Sequence, residues 1–389
     1  MSIVIFGDLF SFPDGLAATN RIYTYAKGFQ ENGIDVHVIC FSNNYMDEPD
    51  GVIDGISYYN PFGQKKRSRY FIVRRWEKLM KYRKTYVVFK KIRKKGKIIA
   101  INRWSDTPIT QFFAWILAKL FRTKVITECN EHPLRYHQGG ERDRKIGVIK
   151  FYIDSYLSSG ILCISKYLIS FHKKRGIKDR KLFLVPSTVD PSRFIQTGSK
   201  PINQFYIGYF GSLTFKRDNI DLLINAFAQV SNLHSSIKLI LGGFCNQEER
   251  NQIIKLINDL NITSKVQIIE YLTRQEIVRY ITHADILVMV RSKDIQSEAS
   301  YPSKLTEYLA TGKPVISVNV GEISDFLKDG VNALIIEPGN VKELSEKLDR
   351  LIKNPAEAKM IGQNGKELTN NIFHYHYQAK RILGFMKSV

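Results

Sequence analysis

Residues 301–316 read YPSKLTEYLATGKPVI, and the fold is decided there. Just before them, 286–290 (ILVMV) is a short unbroken apolar run, the pattern of a strand buried on both faces. A polar loop, 291–301, follows it. Pro302-Ser303 is helix-start chemistry, since a proline there has a pre-set backbone angle and no N–H left to satisfy. Residues 304–310 predict a short helix, Gly312 ends it, and Pro314 opens the next apolar strand. Strand, loop, helix, strand is a βαβ unit, which requires a parallel sheet. Free N–H groups at such a helix start favour anions. A phosphate near Pro302, Ser303, Lys304 and Leu305 leaves Glu307 one turn further on, in reach of two ribose hydroxyls. An ordinary crossover helix whose Glu307 faces water fits the same spacing.

Outward from this unit the rhythm repeats. Strand runs are expected at 3–6, 36–41, 98–101, 124–127, 161–164 and 182–185, then at 206–210, 238–241, 266–269, 286–290, 315–318 and 334–336. Helical stripes stand out at 221–230, 341–352 and the last seventeen residues. A length of 389 residues exceeds one ordinary α/β core and suits two of about 190 residues. The expectation is an N-terminal Rossmann-like domain over 1–195, a polar linker at 196–204 and a second Rossmann-like domain over 205–370. A terminal helix within 371–389 is expected to pack back on the first domain. The two doubly wound domains should face each other across a deep cleft, because open α/β sheets bind ligands outside the carboxyl ends of their strands.

Bulk properties narrow the function. The four cysteines are scattered without a CxxC pair, so neither a zinc site nor a disulfide framework is expected and a reducing, cytoplasmic setting fits. The N-terminal run is strand-like and unlike a secretory signal. No stretch approaches the ~20 apolar residues of a membrane span. Gly7-Asp8-Leu9-Phe10 does not continue as GxGxxG, which argues against a dinucleotide oxidoreductase. No cofactor and no metal are expected, and Asp-x-Asp does not occur.

The segment 301–316 resembles the donor-site signature of family 4 of the retaining glycosyltransferases, which have the GT-B fold. That signature is an acid, seven positions, then Glu-Ala/Tyr-Met/Leu-Ala-x-Gly-x-Pro-Val. Glu307 falls on the second glutamate, which in the family binds the ribose, and Gly312, Pro314 and Val315 match. The first acid would stand at 299, where this chain has Ala299, and Glu298 comes one place early. A second match is Tyr209-Phe210-Gly211-Ser212-Leu213-Thr214-Phe215-Lys216-Arg217. Relatives carry Gly-Arg-Leu and a later lysine here to neutralise the diphosphate; Ser212 takes the arginine position, and Lys216 and Arg217 lie near the lysine. Cations placed there stabilise the charge that grows as the sugar–phosphate bond breaks.

Weaker matches run in the family's order: Val185-Pro186-Ser187-Thr188-Val189-Asp190 at the hinge, Cys163-Ile164-Ser165, and Glu270-Tyr271-Leu272 where relatives contact the base. In the first domain, Asp14-Gly15-Leu16-Ala17-Ala18 resembles the glycine loop near diphosphate and acceptor, or is a plain β–α turn. Glu131-His132-Pro133 lies where many relatives have a functional histidine, though a lone histidine also fits a structural role; Arg135 and His137 follow. The resemblance thus implies a metal-independent hexosyltransferase taking a nucleotide-sugar, UDP- above all, to a saccharide or lipid-linked acceptor in bacterial capsule or lipopolysaccharide-type synthesis. Lys216, Arg217, Glu307 and His132 are its catalytic candidates. Other enzymes of the same fold, an epimerase or a phosphorylase, remain open.

The formal net charge is +21, and sixteen lysines and arginines against Glu77 alone fall within 64–97. Tyr70, Phe71, Trp76, Tyr82, Tyr86 and Phe89 are interleaved with them. Such a pattern suits a helix lying on an anionic membrane, nucleic acid, or a solvated helix with inward rings. With the resemblance, a peripheral attachment to the inner face of the cell membrane is expected and nucleic acid is not.

Overall fold

The computed structural model describes residues 1–15, 17–133 and 141–389, and only the backbone of 141–144 and 146. The chain divides into two compact units, Met1–Thr188 with Tyr375–Val389, and Val189–His374. The division thus falls at Thr188, ahead of the polar stretch 196–204.

The first unit holds an eight-stranded sheet. Its strands are β1 (Ser2–Gly7), β2 (Asp35–Cys40), β3 (Asp50–Ile53), β4 (Ile56–Tyr59), β5 (Ile98–Trp104), β6 (Lys124–Cys129), β7 (Gly160–Cys163) and β8 (Leu182–Leu184). Their order is β3-β4-β2-β1-β5-β6-β7-β8, all pairs parallel except β3 with β4. Every residue of β1 is buried, because helices cover both faces. The pleat splits it: Ile3 and Ile5 join a core with the helices Ala17–Glu31 and Tyr375–Ser388, whereas Val4 and Phe6 join Phe89, Ile92, Ala114 and Leu117 on the other face. The terminal helix is seated by Ala379 over Gly28, and Tyr375 Oη donates to Glu31 at 2.6 Å.

The second unit holds six parallel strands: β9 (Tyr206–Phe210), β10 (Lys238–Gly242), β11 (Val266–Ile269), β12 (Ile286–Met289), β13 (Val315–Val318) and β14 (Leu334–Ile336). Their order is β11-β10-β9-β12-β13-β14. The predicted stripe Leu222, Leu223, Ala226, Phe227 and Val230 is buried on the helix Ile220–Leu233. Both units are therefore Rossmann-like. In each, the crossovers reverse direction beside one strand, between β1 and β5 and between β9 and β12, and ligands of open α/β sheets bind at such a switch point.

The basic segment forms the helix Phe71–Lys95. Its second half is fastened to the first sheet by Lys81, Thr85, Phe89 and Ile92, whereas none of residues 71–80 is buried. Lys81 is thus a buried cation among exposed ones. Its Nζ donates to the Phe41 carbonyl at 2.9 Å and to Asn43 Oδ1 at 3.0 Å, and lies 4.1 Å from the Phe41 ring centre.

Burial lowers the Lys81 pKa from 10.5 to about 8. Between these values the unfolded chain binds a proton that the folded one has released, so this group's contribution to stability rises with pH across that window. The unfolding free energy of the wild type minus that of Lys81→Met is expected to rise from pH 8 to pH 10.5, measured by denaturant titration. A pH-independent difference would refute the buried-lysine assignment.

Candidate active site

The carboxyl edge of the second sheet is held together by short backbone bonds. The Gly211 N–H donates to the Gly242 carbonyl and the Leu213 N–H to the Phe244 carbonyl, both at 2.9 Å. The loops after β9 and β10 are so close that a Cβ on Gly243, whose φ is +140°, would stand 1.9 Å from the Gly211 carbonyl oxygen. Glycine is the residue that permits this approach.

The helix Ser303–Ala310 is anchored to the same edge through two side chains one turn apart. The Tyr308 hydroxyl accepts the Phe210 N–H at 2.7 Å and donates to the Phe210 carbonyl at 3.2 Å. Lys304 Nζ donates to Tyr209 Oη at 2.6 Å and lies 3.4 Å from Asp218 Oδ1, to which Tyr209 donates at 2.9 Å. The Thr214 hydroxyl supplies the other Asp218 oxygen at 2.9 Å. Burial pulls the Lys304 pKa down against the attraction of Asp218. The same burial, reinforced by Asp218, pushes the Tyr209 phenol well above its ordinary value. The phenol is thereby held in its neutral form, with the lysine amine against its oxygen.

The predicted donor residues fall into groups. Gly211, Ser212, Lys216 and Arg217 lie on the loop and short helix after β9; Ser212, Lys216 and Arg217 are exposed, and Arg217 also bears on the charge of Lys304. Pro302, Ser303, Lys304, Leu305 and Glu307 start the helix after β12. Within that group the structure narrows the phosphate reading. The Leu305 side chain is in the core and its N–H donates to the Pro302 carbonyl at 3.1 Å, so Leu305 offers a ligand neither. Glu307 is half-buried between the anchors Lys304 and Tyr308. Ala299 is fully buried at the end of the helix Ile295–Ala299, whereas Glu298 is half-exposed. On the loop after β11, Tyr271 is 83% exposed with φ +55°, and Leu272 covers the end of β10 beside Gly242.

Arg291, not anticipated from the sequence, lies in the same place. It is 6% exposed on the loop after β12, and its charge is coupled to Arg217, Asp218 and Asp294. A lone arginine after a strand has no motif to announce it.

At the carboxyl edge of the first sheet, Asp14 and Gly15 are exposed in the turn after β1 and Glu131 is half-buried after β6. His132 is packed rather than presented: it is 5% exposed, with its ring 4.6 Å from Phe171 and 6.0 Å from Tyr167. Leu16, Arg135 and His137 lie outside the described residues. Beside His132, Cys129 Sγ is 3.6 Å from His172 Nε2, and a hydrogen bond from Cys163, aided by His172, holds its pKa below the usual thiol range. Glu128 is buried on β6, accepting from Arg21 Nε at 2.9 Å and Tyr25 Oη at 3.0 Å, while Arg21 also donates to the carbonyls of Val185 and Pro186. Burial outweighs Arg21 and raises the Glu128 pKa. Among the described residues no group of three His, Cys, Asp or Glu could hold a metal ion, and no helix is long and apolar enough to cross a membrane.

Comparison with known proteins agrees with this geometry. Residues 18–193 match the family described as Glycosyltransferase Family 4, and residues 192–368 match Glycosyl transferases group 1. An uncharacterized glycosyltransferase of Methanocaldococcus jannaschii is 26% identical over 212 residues, 54% of this chain and 55% of that protein. The capsular polysaccharide biosynthesis glycosyltransferase CapM of Staphylococcus aureus is 24% identical over 207 residues, 53% of this chain and 51% of CapM. The chain thus spans about half the length of the curated relatives it matches. Among solved structures, Anabaena HepE in complex with UDP-glucose superposes with a TM-score of 0.71 at 15% identity, covering 100% of both chains. Sucrose-phosphate synthase from Thermosynechococcus elongatus superposes with a TM-score of 0.73 at 16% identity, covering 98% of this chain and 96% of that one. The two family matches run through nearly the whole sequence and meet at the division between its Rossmann-like units, so the chain belongs among the glycosyltransferases of GT-B architecture.

Proposed function

We propose that the chain transfers a hexose from a nucleoside-diphosphate sugar, with retention of configuration, to a saccharide or lipid-linked acceptor in bacterial surface polysaccharide or glycolipid synthesis. The observation that carries this is the meeting of Arg217, Arg291 and Lys304 at the switch point of the second sheet, with Glu307 one turn along the helix that Lys304 anchors. Cations fixed at a strand edge suit a diphosphate, and Glu307 suits the ribose hydroxyls. HepE, a structural neighbour, is solved in complex with UDP-glucose, which favours UDP as the nucleotide; CapM lends its pathway as an analogy.

In this reading the leaving diphosphate is neutralised by protein cations, Lys216 and Arg217 among them, as the glycosidic bond breaks. Its own oxygen takes the proton of the incoming acceptor on the same face. Pro302, Ser303, Tyr271 and Leu272 border the donor, and Glu298 takes up the sugar-facing work that buried Ala299 cannot do. Asp14, Gly15, Glu131 and His132 belong to the acceptor side, with the packed His132 as a positioning group.

Membrane attachment is part of the same proposal. In the first turns of the helix Phe71–Lys95, Ile72 is 80% exposed and Trp76 and Leu79 are each 63% exposed, flanked by Arg74, Arg75 and Lys78. Apolar residues that a soluble surface would hide, ringed with cations, suit anionic lipid.

A thermal-shift screen against UDP, GDP, ADP, CMP and their sugars should reveal one preferred nucleotide, and silence from all of them would overturn the reading. Glu307→Ala should weaken donor binding about 10- to 100-fold, the scale of hydrogen bonds to a charged group, with the melting temperature little changed. Unaltered donor affinity would return Glu307 to a solvent-facing role. In co-sedimentation, the protein should pellet with vesicles containing phosphatidylglycerol, less so at high salt. Equal binding to neutral vesicles, or none to either, would end the membrane proposal.

A further inference from the structure

Arg291 presents a problem of charge that the protein does not solve by itself. It is 6% exposed, no hydrogen-bond partner for its guanidinium occurs among the described residues, and none of its nitrogens is among the unpartnered side-chain atoms sealed from solvent. An arginine brings five N–H donors and cannot shed its proton, so this fork, packed by its neighbours but open at its tip, is free to meet a ligand. The acids nearest in effect are Asp218 and Asp294, and both are engaged elsewhere. Asp218 receives Tyr209, Lys304 and Thr214. Asp294 receives the Ser297 N–H at 2.8 Å and the Ser292 hydroxyl at 2.9 Å.

The loop that carries Arg291 is also tied to the loop of predicted cations. The Ser292 N–H donates to the Arg217 carbonyl at 3.0 Å. This bond holds the residue next to Arg291 against the backbone of Arg217, at the neighbouring ends of β9 and β12. Two guanidinium groups repel, and a third cation, Lys304, feels both. Arg291, Lys304 and the exposed Arg217 outnumber Asp218 and Asp294, whose oxygens are already engaged, and this surplus positive charge at a sheet's ligand-binding edge suits an anion.

We propose that Arg291 is a diphosphate-binding residue, whose planar fork grips the donor's phosphate oxygens from the loop after β12. It supplies the guanidinium that Ser212, on the loop after β9, does not. The proposal rests on the nucleotide-sugar reading and adds to it the residue that makes the site selective for phosphates over the nucleoside.

The test compares UDP with uridine by calorimetry on the full chain, using the wild type, Arg291→Gln and Arg291→Lys. Arg291→Gln should lose about 10- to 100-fold in UDP affinity, as expected for charge-assisted bonds, and leave uridine binding unchanged. Arg291→Lys should recover only part of the loss, because an ammonium cannot reproduce the fork. UDP binding by Arg291→Gln equal to wild type overturns the proposal, as does an equal loss for UDP and uridine, which would mark a merely structural arginine. If Arg291→Gln does not fold, Arg291→Lys decides alone, and wild-type UDP affinity in it overturns the assignment. Wild-type protein that binds neither UDP, GDP nor ADP overturns the nucleotide-sugar reading and this proposal with it; wild-type protein that binds UDP, with variants that bind it equally well, overturns Arg291 only.

Discussion

The bond from Lys304 to Tyr209, with Asp218 behind both, fixes the geometry on which the second unit's candidate site depends. Lys304 and Tyr308 are four residues apart and so share one face of their helix. One reaches the end of β9 through a phenol and a carboxylate, the other through the backbone of Phe210. The helix Ser303–Ala310 therefore cannot slide or turn relative to β9 without breaking buried hydrogen bonds, and each unsatisfied buried group costs ~1–3 kcal/mol. Glu307 gains its fixed place from these neighbours. In the role proposed for it, a carboxylate meeting two ribose hydroxyls gains from this support, since a loose one spends binding energy on becoming ordered.

The two units repeat one architecture and fill it with different chemistry. Both have their switch point beside a strand that ends in close backbone packing: a Cβ on Gly7 would stand 1.9 Å from the Trp104 carbonyl, as one on Gly243 would from that of Gly211. Around the second sheet's edge Arg291, Lys304 and the exposed Arg217 outnumber Asp218 and Asp294. Around the first the charges come in pairs, Glu128 with Arg21 and Asp154 with Arg103. A surplus of positive charge suits an anion, whereas a set of ion pairs serves to hold a shape. Arg21 does this directly, spending its remaining donors on the carbonyls of Val185 and Pro186, just ahead of the chain's division at Thr188.

What was legible in the sequence followed from local periodicity. All twelve anticipated strands are present because a strand covered on both faces must be apolar throughout, and that leaves an unbroken run. The hairpin of β3 and β4 escaped notice although Asp54-Gly55 announces it, both residues having positive φ. The sequences of β3 and β4, DGVI and ISYY, carry too few apolar residues to form a run. In the site, Glu307 was legible because helix-start chemistry and its spacing lie within seven residues. Arg291 was not, since its meaning comes from Arg217 and Asp218, more than seventy residues away in sequence and adjacent only after β9 and β12 pair. His132 runs the other way: its position in the chain points to chemistry, and the fold adds what the chain order does not carry, that its ring packs against Phe171 and Tyr167.

The basic segment gains sense from the same distinction between satisfied and unsatisfied groups. Composition treats its sixteen cations alike, but burial sorts them. Lys81 is spent inside, on the Phe41 carbonyl and Asn43, and together with Thr85, Phe89 and Ile92 it fastens the second half of the helix to the sheet. That stripe, recurring every three or four residues, stops at Lys81. From there back to Phe71 the helix continues for ten residues without a buried side chain, yet it carries Phe71, Ile72, Trp76 and Leu79. Tertiary packing usually provides most of a helix's stability, and exposed turns at an N-terminus lacking both acids and a side-chain cap are poorly supported. The membrane attachment proposed above gives this half-helix a partner: an anionic lipid surface offers hydrocarbon for the rings and negative charge for the arginines.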